Sequence, residues 1–195
     1  MTSFAELYSD VLTIVNRPDK ETLIKNAIKE ATLKVHTLEF FPKDLMETGI
    51  SFATPAYVQS IEYTAVFTRF RHLSYLRKYD GTNAGAFLEI ISPAEVVDRY
   101  GFDRQDVCYI AGINIEVKSS TQDQYMLIGY YQFPTVTEDG YSSWIADNYK
   151  WAIVHEAAAK VAAATGYTSM YSMEKSEADS QQMLILSREI SGVNI

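Results

Sequence analysis

The sequence predicts an α+β protein: a helical bundle of about four helices, with a small antiparallel β-domain inserted between the N-terminal and C-terminal helix pairs. Three observations carry this expectation. Apolar residues recur at helical spacing near both ends of the chain, alternate with period two in the middle, and the change of period is marked by proline and glycine on each side. The expected division is 1–50 and 140–191 for the bundle and 51–139 for the β-rich insertion, which includes a short helix near 92–100. Residues 191–195 are left as a C-terminal tail.

The first helix is expected over Phe4–Val15, with Ser3 as N-cap and Glu6 at capping-box spacing. Pro18 suits the first position of a second helix, and Asp19 and Glu21 suit its positive end. Ile24, Ala27, Ile28, Ala31, Val35 and Leu38 then form one apolar stripe, which stops at Pro42. From Tyr57 to Phe67 the odd positions are mostly apolar, as in a half-buried strand, and the same parity runs on through Arg69, Arg71, Leu73, Tyr75 and Arg77. Either a bulge intervenes or this strand runs out beyond the core. Ser92, Pro93 and Glu95 start the short helix. Residues 109–117 alternate as one more strand, STQDQ (120–124) reads as a turn, and Tyr125–Phe133 is a further strand, which makes the β region tyrosine-rich. Ser143 caps a long helix from Trp144 to Thr165 that ends at Gly166. Its alanine-dense second half suits close helix packing. The last helix is expected over Ser172–Ile190.

Composition narrows the functions. In 195 residues, 47% hydrophobic and 13% aromatic, there is enough apolar material for a core. The 25 acidic against 17 basic residues give a formal charge of −8, which disfavours sequence-independent duplex binding. Cys108 is alone within an apolar run, so neither a disulfide nor a cysteine zinc site is expected. The N-terminus lacks a basic leader and no run approaches ~18 apolar residues, so neither a secretory signal nor a membrane-spanning helix is expected.

Chemistry-bearing motifs are absent. His155–Glu156 opens like a zinc-protease helix, but Ala159 stands where the second histidine belongs. No nucleophile elbow, phosphate-cradling loop or dinucleotide-binding glycine pattern occurs. Carboxylate pairs such as Glu89 with Glu95 read as solvated surface, and the acidic segments around Asp103–Asp106 lack calcium-loop spacing. No cofactor, metal or catalytic residue is therefore expected. The basic cluster of Arg69, Arg71, Arg77 and Lys78, interleaved with aromatics, is the one feature with the look of a contact surface. Its readings are a solvated patch, a phosphate contact and an ion-pair seam with an acidic neighbouring subunit, and between the two contacts the chain's negative charge favours the seam.

The segment VLTIVNRPDKETLIKNAIKEATLKVHTLEFFPKDL, the strand IGYYQFPTV and the following SSWIADNYKWAIVHEAAAKVAAATGY resemble head–tail connector (adaptor) proteins of tailed bacteriophages in the order of their elements. The resemblance implies a non-enzymatic virion protein, made in the host bacterial cytoplasm and located in the neck. Such a protein forms a ring, usually of about twelve copies, between the portal protein and the tail tube or nozzle protein, and DNA passes through without specific binding and without a membrane. It also implies a C-terminal segment that docks on the portal, here Ile190, Val193 and Ile195. Two other readings compete: a tail accessory protein that degrades peptidoglycan, and a carbohydrate- or receptor-binding tail module suggested by the aromatic strands.

Overall fold

The computed structural model describes residues 1–98 and 100–189. The chain forms two compact units, one of Met1–Lys43 together with the chain from Phe133 onward, the other of Asp44–Gln132. Both crossings fall earlier than the 51–139 insertion expected from the sequence.

In the helical unit, α1 (Phe4–Val15) opens with the expected capping box. Glu6 N donates to Ser3 Oγ at 3.2 Å and Ser3 N donates to Glu6 Oε2 at 2.8 Å. Pro18 starts a 3₁₀ turn, Pro18–Lys20, and α2 proper runs Glu21–His36. Its stripe of Ile24, Ala27, Ile28, Ala31 and Val35 is buried. α4 (Trp144–Thr165) is capped by Ser143 Oγ, which accepts from Ala146 N at 3.1 Å, and closes on Gly166 at φ +80°. Alanines and β-branched residues on nearly every side of α4 are buried, which makes it the central helix, touching α1, α2 and the helix that follows it, α5 (Thr168–Glu189). Tyr149 (φ −138°, ψ 45°) breaks its helical path near the start.

α5 (Thr168–Glu189) docks differently. Its buried stripe is Glu174, Ala178, Gln182 and Ile185, so half of what it buries is polar. His155 Nδ1 lies 2.7 Å from Glu174 Oε2, and Glu156, itself 3% exposed, meets Lys34 at 2.6 Å, Gln182 at 3.1 Å and Lys175 at 3.5 Å. The helix is held by satisfied hydrogen bonds as much as by apolar burial.

The second unit corrects the expected fold class. It is not a small antiparallel insertion in a helical bundle: strands are a major component of the chain, and four of them close into a barrel. β2 (Phe70–Tyr79), β3 (Ala84–Ile90), β4 (Val107–Ala111) and β5 (Asn114–Gln132) form the closed ring, and β1 (Leu45–Glu62) adds to it along β5. The pairings are antiparallel except β3 with β4, which is parallel. A short helix, α3 (Tyr63–Val66), brings the α-helices among the described residues to five. The barrel core contains Ile61, Phe67, Leu73, Leu76, Leu88, Cys108, Ile115, Val117, Met126, Ile128 and Tyr130.

Local differences share a physical origin. STQDQ is not a turn but the middle of β5: the inward row changes from Ile115, Val117 and Ser119 to Met126, Ile128 and Tyr130, and register irregularities against β1 absorb the change of parity. The turn lies earlier, where Gly112 takes φ +64° between paired Ala111 and Asn114 and so divides the strand expected over 109–117. The helix expected near 92–100 is only the 3₁₀ turn Pro93–Glu95. Pro55 lies within β1 at a register irregularity, and β1 pairs with β5 alone, an edge position where a missing N–H does no harm.

Glu156 supplies a test of the α5 docking. Burial pushes its carboxyl up, but the hydrogen bond and charge of Lys34 and the charge of Lys175 outweigh this and hold it below its ordinary value. Its contribution is therefore present above about pH 4.5 and lost as pH falls through the lower folded value. Glu156→Gln is expected to lower stability at pH 7 by about 1–3 kcal/mol and to flatten the acid limb of a melting-temperature profile. A variant profile that parallels the wild type would count against this account.

Candidate functional site

The register of the barrel brings an aromatic and cationic ledge to its outer face. Arg77 of β2 pairs with Phe87 of β3, and the guanidinium lies 4.4 Å from the Phe87 ring centroid. Nε and Nη2 of Arg77 both donate to Gly85 O at 3.3 Å, which fixes the plane of the group. Tyr75 meets the same phenyl ring edge-on at 5.6 Å. Its phenol reaches across the sheet to donate to Glu47 of β1, and that bond, with burial and the negative charge, pushes the phenol above its ordinary value. Between the two stands Gly129, paired with both, where an added Cβ would overlap the Tyr75 ring. Phe87 is nevertheless 60% exposed.

The three arginines singled out in the sequence do not form one row. Of the two readings left open, a strand running on through them and one broken by an irregularity, the second holds: the path is interrupted by α3 and by a corner at which Arg69 takes φ +56°. Register shifts on either side of His72 and Leu73 then remove the shared parity of Arg71 and Arg77. Of the three, Arg77 joins the ledge. Ile190, Val193 and Ile195 lie outside the described residues.

A second constellation, missed in the sequence, sits where β2, β5 and the segment before β4 meet. Lys78 Nζ donates to Asp106 at 2.7 Å, Ser120 Oγ at 3.1 Å and Thr121 Oγ1 at 2.9 Å. Ser120 Oγ in turn donates to Asp106, and the buried Ser119 hydroxyl donates to Asp123. Lysine beside serine suggests nucleophilic chemistry, but all three ammonium protons are engaged as donors. The hydroxyl's acceptor is a carboxylate that Lys78 and the Ser120 amide hold down at about 2, far too weak a base to activate serine near neutrality. The network's evident work is mechanical: it fastens the polar middle of β5 to the barrel wall. No sequence signal marks it beyond the run of hydroxyl side chains.

Elsewhere, chemistry-bearing groups are committed to packing. His36 Nε2 lies 2.9 Å from Ser143 Oγ in the helical core, and His155 is paired with Glu174. Burial pushes the Cys108 thiol up to about 12. Among the described residues no three His, Cys, Asp or Glu side chains converge as metal ligands do, and no helix is long and apolar enough to cross a membrane.

No protein-family model matches this chain, and no curated protein matches it.

Replacing Lys78 by Met removes the chief cause of the low Asp106 pKa. That carboxyl is expected to titrate upward from about 2 toward its ordinary 3.8, followed by carbon-detected NMR. The accompanying stability loss is about 1 kcal/mol, small because water screens a half-exposed carboxylate. An unmoved Asp106 titration would show that the ion pair does not organise this end of the barrel.

Proposed function

We propose that this chain is a structural assembly subunit, a head–tail connector (adaptor) protein of a tailed bacteriophage. In this reading it forms a ring in the virion neck, joins the portal to the tail tube or nozzle, and lets DNA pass without specific binding. The order of helices and strands that resembles such proteins supports the reading. So does the acidic balance, which suits a channel wall that does not grip phosphate.

The observation that carries it is the surface of the barrel unit. Tyr57, Val58, Phe87, Tyr100, Phe102 and Ile113 are each more than half exposed, large apolar side chains whose number favours cover by protein. They are spread over several strands and loops rather than gathered around a cleft. That distribution favours several protein contacts over one small-molecule site.

The test is to mix the purified full chain with purified portal and image the product by negative-stain microscopy. Rings stacked on portals are expected, with no clearing in a peptidoglycan zymogram. Persistent monomers, or lytic zones, would overturn the reading.

A further inference from the structure

The helical core closes almost without α5. Among the described residues, its buried side chains come from α1, α2, α4 and the chain beside them, as with Leu7, Val11, Ile24, Ile28, Ile153 and Val161, while α5 adds Ile185 alone. Met170 and Leu186 of α5 pack against this core but stay partly open. A helix that commits so little apolar area gains little from burial.

What holds α5 is a row of polar latches. His155 faces Glu174, and Glu156 faces Lys175 and Gln182. At the far end Tyr149 donates to Glu189 Oε1 at 2.8 Å, and Lys43 Nζ meets Glu189 Oε2 at 2.8 Å. Burial pushes the Glu189 carboxyl up, but Lys43 and the Tyr149 phenol outweigh it and keep the group below its ordinary value, so this clasp is ionised at neutral pH. On α4, His155, Ala159 and Ala162 share one face by their spacing (i, i+4, i+7), and both alanines are buried outside the core cluster. Between the latches, then, lies alanine and not a large apolar side chain.

The other end has the form of a pivot. Gly166 takes φ +80°, and an added Cβ there would meet nothing within 4 Å, so the link turns in open space. Tyr167, next to it, is anchored: Arg17 donates to its phenol at 3.3 Å and the guanidinium lies 5.9 Å from its ring centroid.

We propose that α5 is a hinged strap that leaves the core of α1, α2 and α4 as one unit, swinging about Gly166–Tyr167 while those three helices stay folded. On opening, the latches trade their bonds for bonds to water, so their net hold is modest. Release uncovers the alanine face of α4 with His155 and Glu156, and α5 thereby governs what the helical unit presents to its surroundings. The inference stands apart from the ring reading, since a monomer carries the same strap.

Hydrogen–deuterium exchange of the full chain, read by mass spectrometry, tests it. Amides across 172–189 are expected to share one opening equilibrium and to exchange on the order of a hundredfold faster than those of α2 and of α4 beyond Tyr149. Gln182→Ala with Glu189→Ala alters α5 alone, and is expected to speed its exchange roughly tenfold or more while core exchange stays as it was. Protection in α5 equal to that of the core, or exchange that grades inward from residue 189, overturns the strap. So does a double variant in which α1, α2 and α4 speed up by the same factor as α5, since the four helices then open as one.

Discussion

The barrel unit depends on the length and continuity of β5. Its first half pairs with β4 on one side and with β1 on the other, and its second half pairs with β2 and again with β1. Only β3 does not touch it in the sheet order. A strand that serves both ends of a closed ring must cross the barrel with its inward row on the core throughout. The alternation of β5 slips by one residue at Ser119–Gln124, and the hydroxyls and carboxylates of that stretch would be costly inside an apolar wall. Lys78 and Asp106 meet them there, so the slip is accommodated as a polar fastening instead of ending the strand.

The same closure makes the outer face. Because β5 holds β1 and β2 on its two edges, Glu47, Gly129 and Tyr75 fall in one cross-strand row, and the tyrosine lies flat across the glycine to its acceptor. Tyr75 in turn braces Phe87, and Arg77 covers it. The ledge is thus a product of register and one missing side chain, with its aromatic ring fixed by neighbours in the same unit. In the helical unit α5 is set on α4 by buried polar pairs that fix its register more sharply than alanine packing alone.

The helices were readable from the sequence because their signals are local: Ser3 with Glu6, Ser143, Gly166 and the stripe on α2 each act within a few residues. The barrel was not, because its determinants lie far apart in the chain. Whether STQDQ turns or extends depends on Asp106 and Lys78, and Gly112 outweighs an apparently continuous alternation only once Ala111 and Asn114 pair. β3 is rich in alanine and glycine and carries little strand propensity of its own. Arg77 stood out in the sequence by its charge alone. Its stacking on Phe87, and the separation of Arg69 and Arg71 from it, follow from a corner and bulges that no parity count registers.

The central proposal is that this chain is a structural subunit that assembles with copies of itself into a ring. Native mass spectrometry of the full chain over a rising concentration series tests that most directly. The account predicts one closed species of fixed and high copy number, on the order of a dozen, growing at the expense of monomer. A monomer at every concentration, or a dimer that is the terminal species, would contradict it.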